Sequence, residues 1–505
     1  FASLSISFLS WRVWRFNITP ALYPDRVKEL PYWIPILGHT LSFFLNAPAV
    51  VDAGIRMTRH SQEPFTIQLL GVKNYFITSP PDITAAFRNL TTLSFHRFLD
   101  FFVCCFGVLK SDVSALNNVM IHLDRSKPET IAYPASGLNM KDFIHWIYKR
   151  QLAVDKTEEL WDIFFPAVME TSSWPNLCAR KDAVATANSV GLPLRGLLES
   201  TLTIPITKML FGTKLLVIQP NLPTHIQGFI DGLWTLVYQY PKWIIPGVAR
   251  DHEASMLALE QFMDEELAIH ENGASDASWL VRTLVQGQTA GGLERRSNAA
   301  LLSVIFLAAL ANVHATSYWL LCYILFDTSL KTAIQKEIAP AFNNGVMDAT
   351  FVTENCPLLD ASFREVLRLH ITSNTVRYIE APTRVQDKLL EPGNQIMIPL
   401  RQLGHSENIW GANHDTFDPM RFVRNKTLAS HTAYRPFGGG AWLCPGKKYA
   451  ARQVLNYVAY LLYIYEIEVP LLRGKSQLFP RTKHETLAFG VSVPKTGMDP
   501  IVKMR

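Results

Sequence analysis

The stretch Leu301–Phe326 constrains this chain most. It is apolar on most faces of a helix, and Asn312 and His314 are among its few polar residues. A helix apolar nearly all round must be covered on every side, by lipid or by a large protein body. It is long enough to cross a bilayer, which takes about 20 residues. Asn312 and His314 in its middle make that costly, and Glu294, Arg295 and Arg296 precede it directly. We therefore read it as a buried helix, which a chain of 505 residues is long enough to enclose.

Downstream, Arg435–Gly446 reads Arg-Pro-Phe-Gly-Gly-Gly-Ala-Trp-Leu-Cys-Pro-Gly. It holds one cysteine, Cys444, in a glycine-rich loop between Phe437 and Gly446. Tyr449, Arg452, Val454, Leu455, Val458, Leu461 and Leu462 then follow at helical spacing. A metal-binding thiolate must lose its proton, and a helix N-terminus with Lys447 and Lys448 beside it favours the anion. Glycines such as Gly440 let backbone N–H groups approach the sulfur. Phe437 can shield it from water. A single cysteine thiolate with no second ligand nearby suits the proximal face of a haem.

Other elements are legible around this loop. Phe65–Gly71 and Asn74–Thr78 are rich in β-branched and aromatic residues and read as a hairpin about Gly71-Val72-Lys73. Residues 82–350 are mostly helical in pattern, with irregular stretches near 125–140 and 215–225. Val376–Ile379, Gln395–Pro399 and Leu487–Val493 read as short strands. Pro357–His370 reads as a helix with Asn355 as its N-cap and Pro357 in its first turn. Glu365 and Arg368 stand three apart in it and share a face.

Composition excludes several classes. Hydrophobic residues make up 48% and aromatics 11%, which no disordered chain carries. A net charge of +5, without Lys/Arg runs interleaved with aromatics, points to no nucleic acid. Cysteines at 104, 105, 178, 322, 356 and 444 form no Cys-x-x-Cys pair, so reduced cytosolic thiols fit better than a zinc site or a disulfide framework. Phe1–Ser10 is apolar but short, and reads as the tail of a membrane anchor with Arg12 and Arg15 on the cytosolic side. Prolines stiffen the following Pro31–Gly38. No linker, charge block or repeat divides the rest.

Phe437-x-x-Gly440-x-x-x-Cys444-x-Gly446 resembles the haem-binding loop of the cytochrome P450 superfamily. Glu365 and Arg368, with Phe417-Asp-Pro-Met-Arg421-Phe422 downstream, resemble its Glu-x-x-Arg plus Arg triad, and His405 and Trp410-Gly411 match the same stretch. The resemblance implies a mainly α fold with a small β subdomain, a triangular helical body around a buried haem b. Residues 1–20 are then the anchor remnant, 21–40 a proline-rich hinge, and 41–505 one catalytic domain, β-rich near 60–80, 376–400 and 484–495. Cys444 becomes the axial iron ligand in a loop carrying Phe437, Gly440, Trp442 and Gly446. Glu365, Arg368 and Arg421 become a structural lock on the meander before the cysteine. Leu301–Phe326 becomes the long helix on the oxygen-binding side.

Two departures bear on chemistry. Most of the family has Arg two residues before the cysteine, where this chain has Trp442, whose indole offers one neutral N–H. Arg377 is the best replacement for holding a haem carboxylate, because its planar fork suits one. With the Cys-Pro-Gly ending, this resembles the sterol 7α-hydroxylase and prostacyclin synthase branch. The second departure lies in Ala311-Asn312-Val313-His314-Ala315-Thr316. The family's acid position holds His314 and its alcohol position Ala315; Thr316 is turned by about 100° from there. His314 stays open between proton shuttle and hydrogen-bonded core residue.

Three functions stay open in consequence. The first is a monooxygenase for a sterol, terpenoid or polyketide-like molecule, fed by NADPH through a cytochrome P450 reductase, with cytochrome b5 open as a further donor. The second is a redox-neutral isomerase or dehydratase. The third, a lipid-binding protein with structural haem, runs against the intact Cys, Glu and Arg motifs. By resemblance the substrate pocket takes in Phe102, Ala311, Ser373, Asn374 and Thr486. Likeness to fungal microsomal members of specialised metabolism implies an endoplasmic reticulum membrane, with the catalytic domain facing the cytosol. Lys447, Lys448 and Arg452 read either as steering an acidic redox partner or as a solvated helix face.

Overall fold

A computed structural model describes residues 2–126, 130–272, 275–483 and 490–505. The fold is mainly α with a small β part, as expected. The chain forms two compact units, one of residues 1–99, 361–444 and 481–495, the other of 100–360, 445–480 and 496–505.

The first unit is built on a six-stranded sheet. In chain order its strands are β1 (Lys28–Glu29), β2 (Phe65–Leu69), β3 (Val72–Phe76), β4 (Leu93–Ser94), β5 (Asn374–Ile379) and β6 (Gln395–Pro399), paired β1-β2-β3-β6-β5-β4. The expected hairpin is present, turning at Leu70 and Gly71 with φ of 44° and 83°. Two positive φ values make a tight turn whose twist matches the strands, so β3 starts at Val72, two residues earlier than expected. Phe65, Ile67 and Phe76 pack on Phe43, Ala47, Val50 and Val51 of the helix Thr40–Met57, which gives this sheet one dry face. β5 and β6 pair antiparallel with Arg377 opposite Ile396. This hairpin carries Arg377 in its body and Asn374 at its end.

The second unit encloses the long helix Arg295–Phe326, packed by the helices Leu194–Phe211, Pro246–Asn272 and Lys447–Ile464. It alone among the described residues is long and apolar enough to cross a membrane, yet 72% of its apolar window is buried in protein. The cover is thus side chains, as the polar pair at 312 and 314 suggested. One stripe escapes: Ala308 and Asn312 are exposed, and Val304 and Ala311 are half-buried. These positions recur at helical spacing and form one face.

Three local expectations are corrected. Asn355 is not the cap of Pro357–His370; it closes the preceding helix Ala349–Asn355. The Glu337 carboxylate, from the helix Thr328–Ile338, accepts the Leu358 and Leu359 N–H groups at 2.8 and 3.0 Å instead. A carboxylate at a helix N-terminus satisfies orphan donors whatever its distance in sequence. The stretch 215–225 is not irregular: Lys214–Ile218 and Leu222–Val237 are helices, broken only at Gln219, Pro220 and Asn221. Of the expected strand Leu487–Val493, residues 487–489 lie outside the described residues, and Val491 makes an isolated bridge to Ile371. A C-terminal strand does exist at Ile501–Met504, paired with Val190–Pro193.

Candidate active site

Glu365, Arg368 and Arg421 converge in the first unit. Arg368 grips Glu365 with a fork, Nε to Oε2 at 2.8 Å and Nη2 to Oε1 at 2.7 Å, and both side chains are wholly buried. Its remaining donors reach the carbonyls of Gly404 and His414 (2.5 Å each) and Thr416 (3.1 Å). Arg421 Nε stands 3.4 Å from Glu365 Oε1, while its Nη1 donates to the Trp410 carbonyl at 2.6 Å. The Asp418 N–H also donates to Glu365 at 3.1 Å. Buried charges are costly unless they are paired and hydrogen-bonded. Here the partners are carbonyls of the loop that leads to the cysteine. His405 bonds Asp415 (Nδ1, 2.6 Å) and the Leu369 carbonyl (Nε2, 3.0 Å), and Trp410 donates to Leu403 O at 2.8 Å, so the same loop is tied at several points.

The cysteine loop folds back on itself: the Cys444 N–H donates to the Phe437 carbonyl at 3.0 Å. Gly440 has φ +66°, and a Cβ there would lie 2.3 Å from the Phe87 carbonyl oxygen. Only glycine fits both the conformation and the approach. Cys444 is exposed. Gly446 precedes the helix Lys447–Ile464, as the spacing predicts. Trp442 packs on Phe95 at 5.1 Å and edge-on to His96 at 4.8 Å. The position that carries a cation in most of the family is therefore an aromatic contact.

Arg377 lies in the same unit and is 3% exposed. Its guanidinium sits over Phe95 at 4.5 Å and Phe87 at 5.4 Å, and makes one hydrogen bond, to the Val376 carbonyl at 2.8 Å. Among the described residues it has no carboxylate partner. Burial alone pushes its pKa down to about 10. A buried, unpaired cation is costly, and it is the group an anionic ligand would neutralise.

In the long helix, His314 and Asn312 point differently. His314 Nε2 lies 3.4 Å from Thr203 Oγ1 of the helix Leu194–Phe211. Full burial, with the Arg195 charge as a lesser cause, lowers its pKa to about 3. The imidazole is thus packed against the neighbouring helix and held neutral. Two residues make about 200° of helix, so Asn312 faces away from His314, on the open stripe. Thr316 Oγ1 donates to the Asn312 carbonyl at 2.6 Å, and Ala315 is buried. The neutral His314 makes stability pH-dependent. Above pH 6.5 the imidazole is neutral folded and unfolded; below, only the unfolded chain takes the proton. Stability is expected to fall by about 1.4 kcal/mol per pH unit from 6.5 towards 3. His314→Asn should flatten that part of a urea-midpoint-against-pH curve, and an unchanged slope would show that other groups set it.

The remaining site residues divide between the units. Phe102, its ring tilted against Phe106 at 4.8 Å, and Ala311 belong to the second. Ser373 and Asn374, both half-buried, belong to the first. Thr486 lies outside the described residues. Lys447 and Lys448 are exposed, but Arg452 is not free to steer a partner. It forks onto Glu158 at 2.5 and 2.9 Å and stacks over Trp161 at 4.3 Å. Thr203, Phe87, Phe95 and Glu337 escape sequence reasoning, since nothing local marks them.

A cytochrome P450 family model matches residues 167–489, and the chain belongs to this family. Cytochrome P450 monooxygenase poxD of Penicillium oxalicum is 23% identical over 471 residues, 90% of either chain. Cytochrome P450 monooxygenase calL of Penicillium decumbens is 25% identical over 55% of this chain and 56% of its own. Steroid 17-alpha-hydroxylase/17,20 lyase of Bison bison is 28% identical over 35% of this chain and 36% of its own. The chain is thus a haem-thiolate oxidoreductase of the monooxygenase kind. The residues present fit the cofactor that membership implies: one exposed cysteine in a glycine loop, and one buried arginine lacking an anion.

Proposed function

We propose that this chain oxidises a lipophilic small molecule of the sterol, terpenoid or polyketide kind, using O2 and electrons from NADPH through a reductase, with cytochrome b5 as a further donor. Arg377, buried without an anion in the unit that carries Cys444, is the observation that carries the reading. Cys444 would hold the iron, Arg377 would pair with a propionate, and Phe437, Gly440, Trp442 and Gly446 would shape the loop. When bound, haem with a thiolate ligand supplies the electron density that favours O–O cleavage. Phe102, Ala311, Ser373, Asn374 and Thr486 stay, on the family resemblance alone, the residues proposed to meet substrate, with few polar atoms to orient an apolar molecule. Membrane association through the N-terminal segment, on the cytosolic side of the endoplasmic reticulum, belongs to the same reading.

Proton handling rests on Asn312. His314 is neutral and turned towards Thr203, Ala315 has no hydroxyl, and the Thr316 hydroxyl is committed to its own helix. The Asn312 amide is the polar side chain of the exposed stripe. It would hold a water or a substrate oxygen in place of the family's acid–alcohol pair. The same arrangement favours a second reading, a redox-neutral isomerase or dehydratase that needs no reductase, as in a prostacyclin synthase-like branch.

Heavy-oxygen gas separates the two. With purified enzyme and a lipophilic extract, heavy oxygen should enter a product only when NADPH and reductase are present. Asn312→Ala should then lower product per NADPH by about tenfold, the usual loss on removing a polar positioning group. A product formed without reductant and without heavy oxygen would establish the isomerase or dehydratase.

A further inference from the structure

We propose that residues 30–39 form a strap on the first unit's sheet that lets go when His39 takes a proton. The strap is fastened to β2 at its two ends. The Leu30 N–H donates to the Thr66 carbonyl at 2.9 Å, and the His39 N–H to the Gln68 carbonyl at 2.8 Å. Between these points Pro31, Trp33, Ile34, Pro35 and Ile36 are exposed, and Ile36 is 78% so. The strap buries two side chains, Tyr32 and His39, whose rings meet edge-on at 5.4 Å.

The strap is strained and poorly matched to its bed. Ile36 has φ +70°. A β-branched side chain clashes with its own backbone in that region, so the turn stores strain. The bed beneath is polar. Glu29 of β1 is level with Thr66 of β2, and Gln68 is two residues on, so the three share one face of the sheet. Glu29 Oε1, Thr66 Oγ1 and Gln68 Oε1 are buried, and none has a hydrogen-bond partner among the described residues. The same is true of both ring nitrogens of His39, a residue only 7% exposed. Each polar atom that docking covers without a bond opposes docking. Strain, unmet polar atoms and exposed apolar side chains together mark a segment that opens at low local free energy.

His39 supplies the trigger. Burial lowers its pKa, against the pull of the Pro31 and Gln68 carbonyls that its ring faces. The docked imidazole is therefore neutral, while the released one regains its ordinary pKa of about 6.5. Below that value only the released strap gains a proton, so acid favours release and neutral pH favours docking. The charges on the packed elements do not offset this. On β1, Glu29 is paired with Arg15 at 2.8 Å and Lys28 with Glu63 at 3.4 Å. On β3, Lys73 stands opposite Gln68 and is held by Glu391. Arg12 donates to the Tyr32 carbonyl and adds no anion that could hold an imidazolium. On the helix Thr40–Met57 the first charges, Asp52 and Arg56, lie more than three turns from His39. Release also parts Tyr32 from Trp11 and Phe16, whose rings lie at 6.0 and 5.1 Å from it.

Hydrogen exchange read by mass spectrometry on the purified, haem-loaded full chain tests this at pH 7.5, 6.5 and 5.5. Rates are corrected for the intrinsic effect of pH, and the β2–β3 hairpin is the internal reference. Relative to it, protection of residues 30–39 should fall about twofold from pH 7.5 to 6.5, and by up to about fivefold more by pH 5.5. His39→Gln should abolish both steps. Ile36→Gly relieves the strain at an exposed position; it should raise strap protection about threefold at pH 7.5 and keep the acid step. A strap that exchanges in step with the hairpin at every pH overturns the proposal, as does an acid step that survives His39→Gln. Should His39→Gln leave the strap open at every pH, Ile36→Gly decides. An acid step from its raised baseline supports the proposal, and the absence of one overturns it.

Discussion

Arg368→Ala is expected to destabilise the protein by about 3–5 kcal/mol, the cost of stranding a buried charge. Glu365 would keep only the Asp418 N–H and the more distant Arg421. Three carbonyls, those of Gly404, His414 and Thr416, would lose their donor at once. Unmet buried acceptors cost more than the bonds contributed net. Glu365→Ala should cost a similar amount, and the double variant less than the sum, because removing both charges strands neither. Arg368→Lys should recover little, since an ammonium cannot fork across two carboxylate oxygens and three carbonyls. Urea midpoints measure the loss. Amide exchange locates it: residues 403–421 should lose protection before the β5–β6 hairpin does. A wild-type midpoint in Arg368→Ala would refute the lock.

That lock also marks how far the sequence could be read. The spacing of Glu365 and Arg368 is local and was legible; that their partners are carbonyls some forty residues on was not. The buried helix Leu301–Phe326 and the Phe65–Phe76 hairpin were legible because periodicity and turn chemistry are short-range signals. The helix start at Pro357 was misread for the converse reason: Asn355 carries the local cap signal, but Glu337 on another helix supplies the carboxylate. Motif alignment located the run 311–316, yet it could not say which side chain faces where. Thr203, over a hundred residues upstream, decides that by contacting His314 and leaves Asn312 on the open stripe. Arg452 looked like a free cation because Glu158 is distant in the chain.

Arg377→Met should have opposite effects on the empty protein and on cofactor retention. In the protein alone the guanidinium is desolvated, has one carbonyl and two aromatic faces for company, and has its pKa pushed down to about 10. Burying an unneutralised charge opposes folding. Methionine keeps much of the volume and packs against Phe87 and Phe95 without that penalty. The haem-free variant should therefore unfold at a urea concentration equal to or above that of haem-free wild type. A haem propionate would turn the same guanidinium into one half of a buried, hydrogen-bonded pair. Losing one partner of such a pair costs about 2–5 kcal/mol, most of it in the dissociation rate. Haem should leave Arg377→Met roughly a hundredfold faster when a scavenging globin competes for it, and Arg377→Lys should fall between. Trp442 cannot compensate, because its indole is neutral and engaged with Phe95 and His96. If the methionine variant were instead less stable without haem and retained haem normally, Arg377 would be a structural support for β5, held by Val376 and the two rings. Only a residue awaiting an anion should gain stability when its charge is removed and lose cofactor in the same substitution.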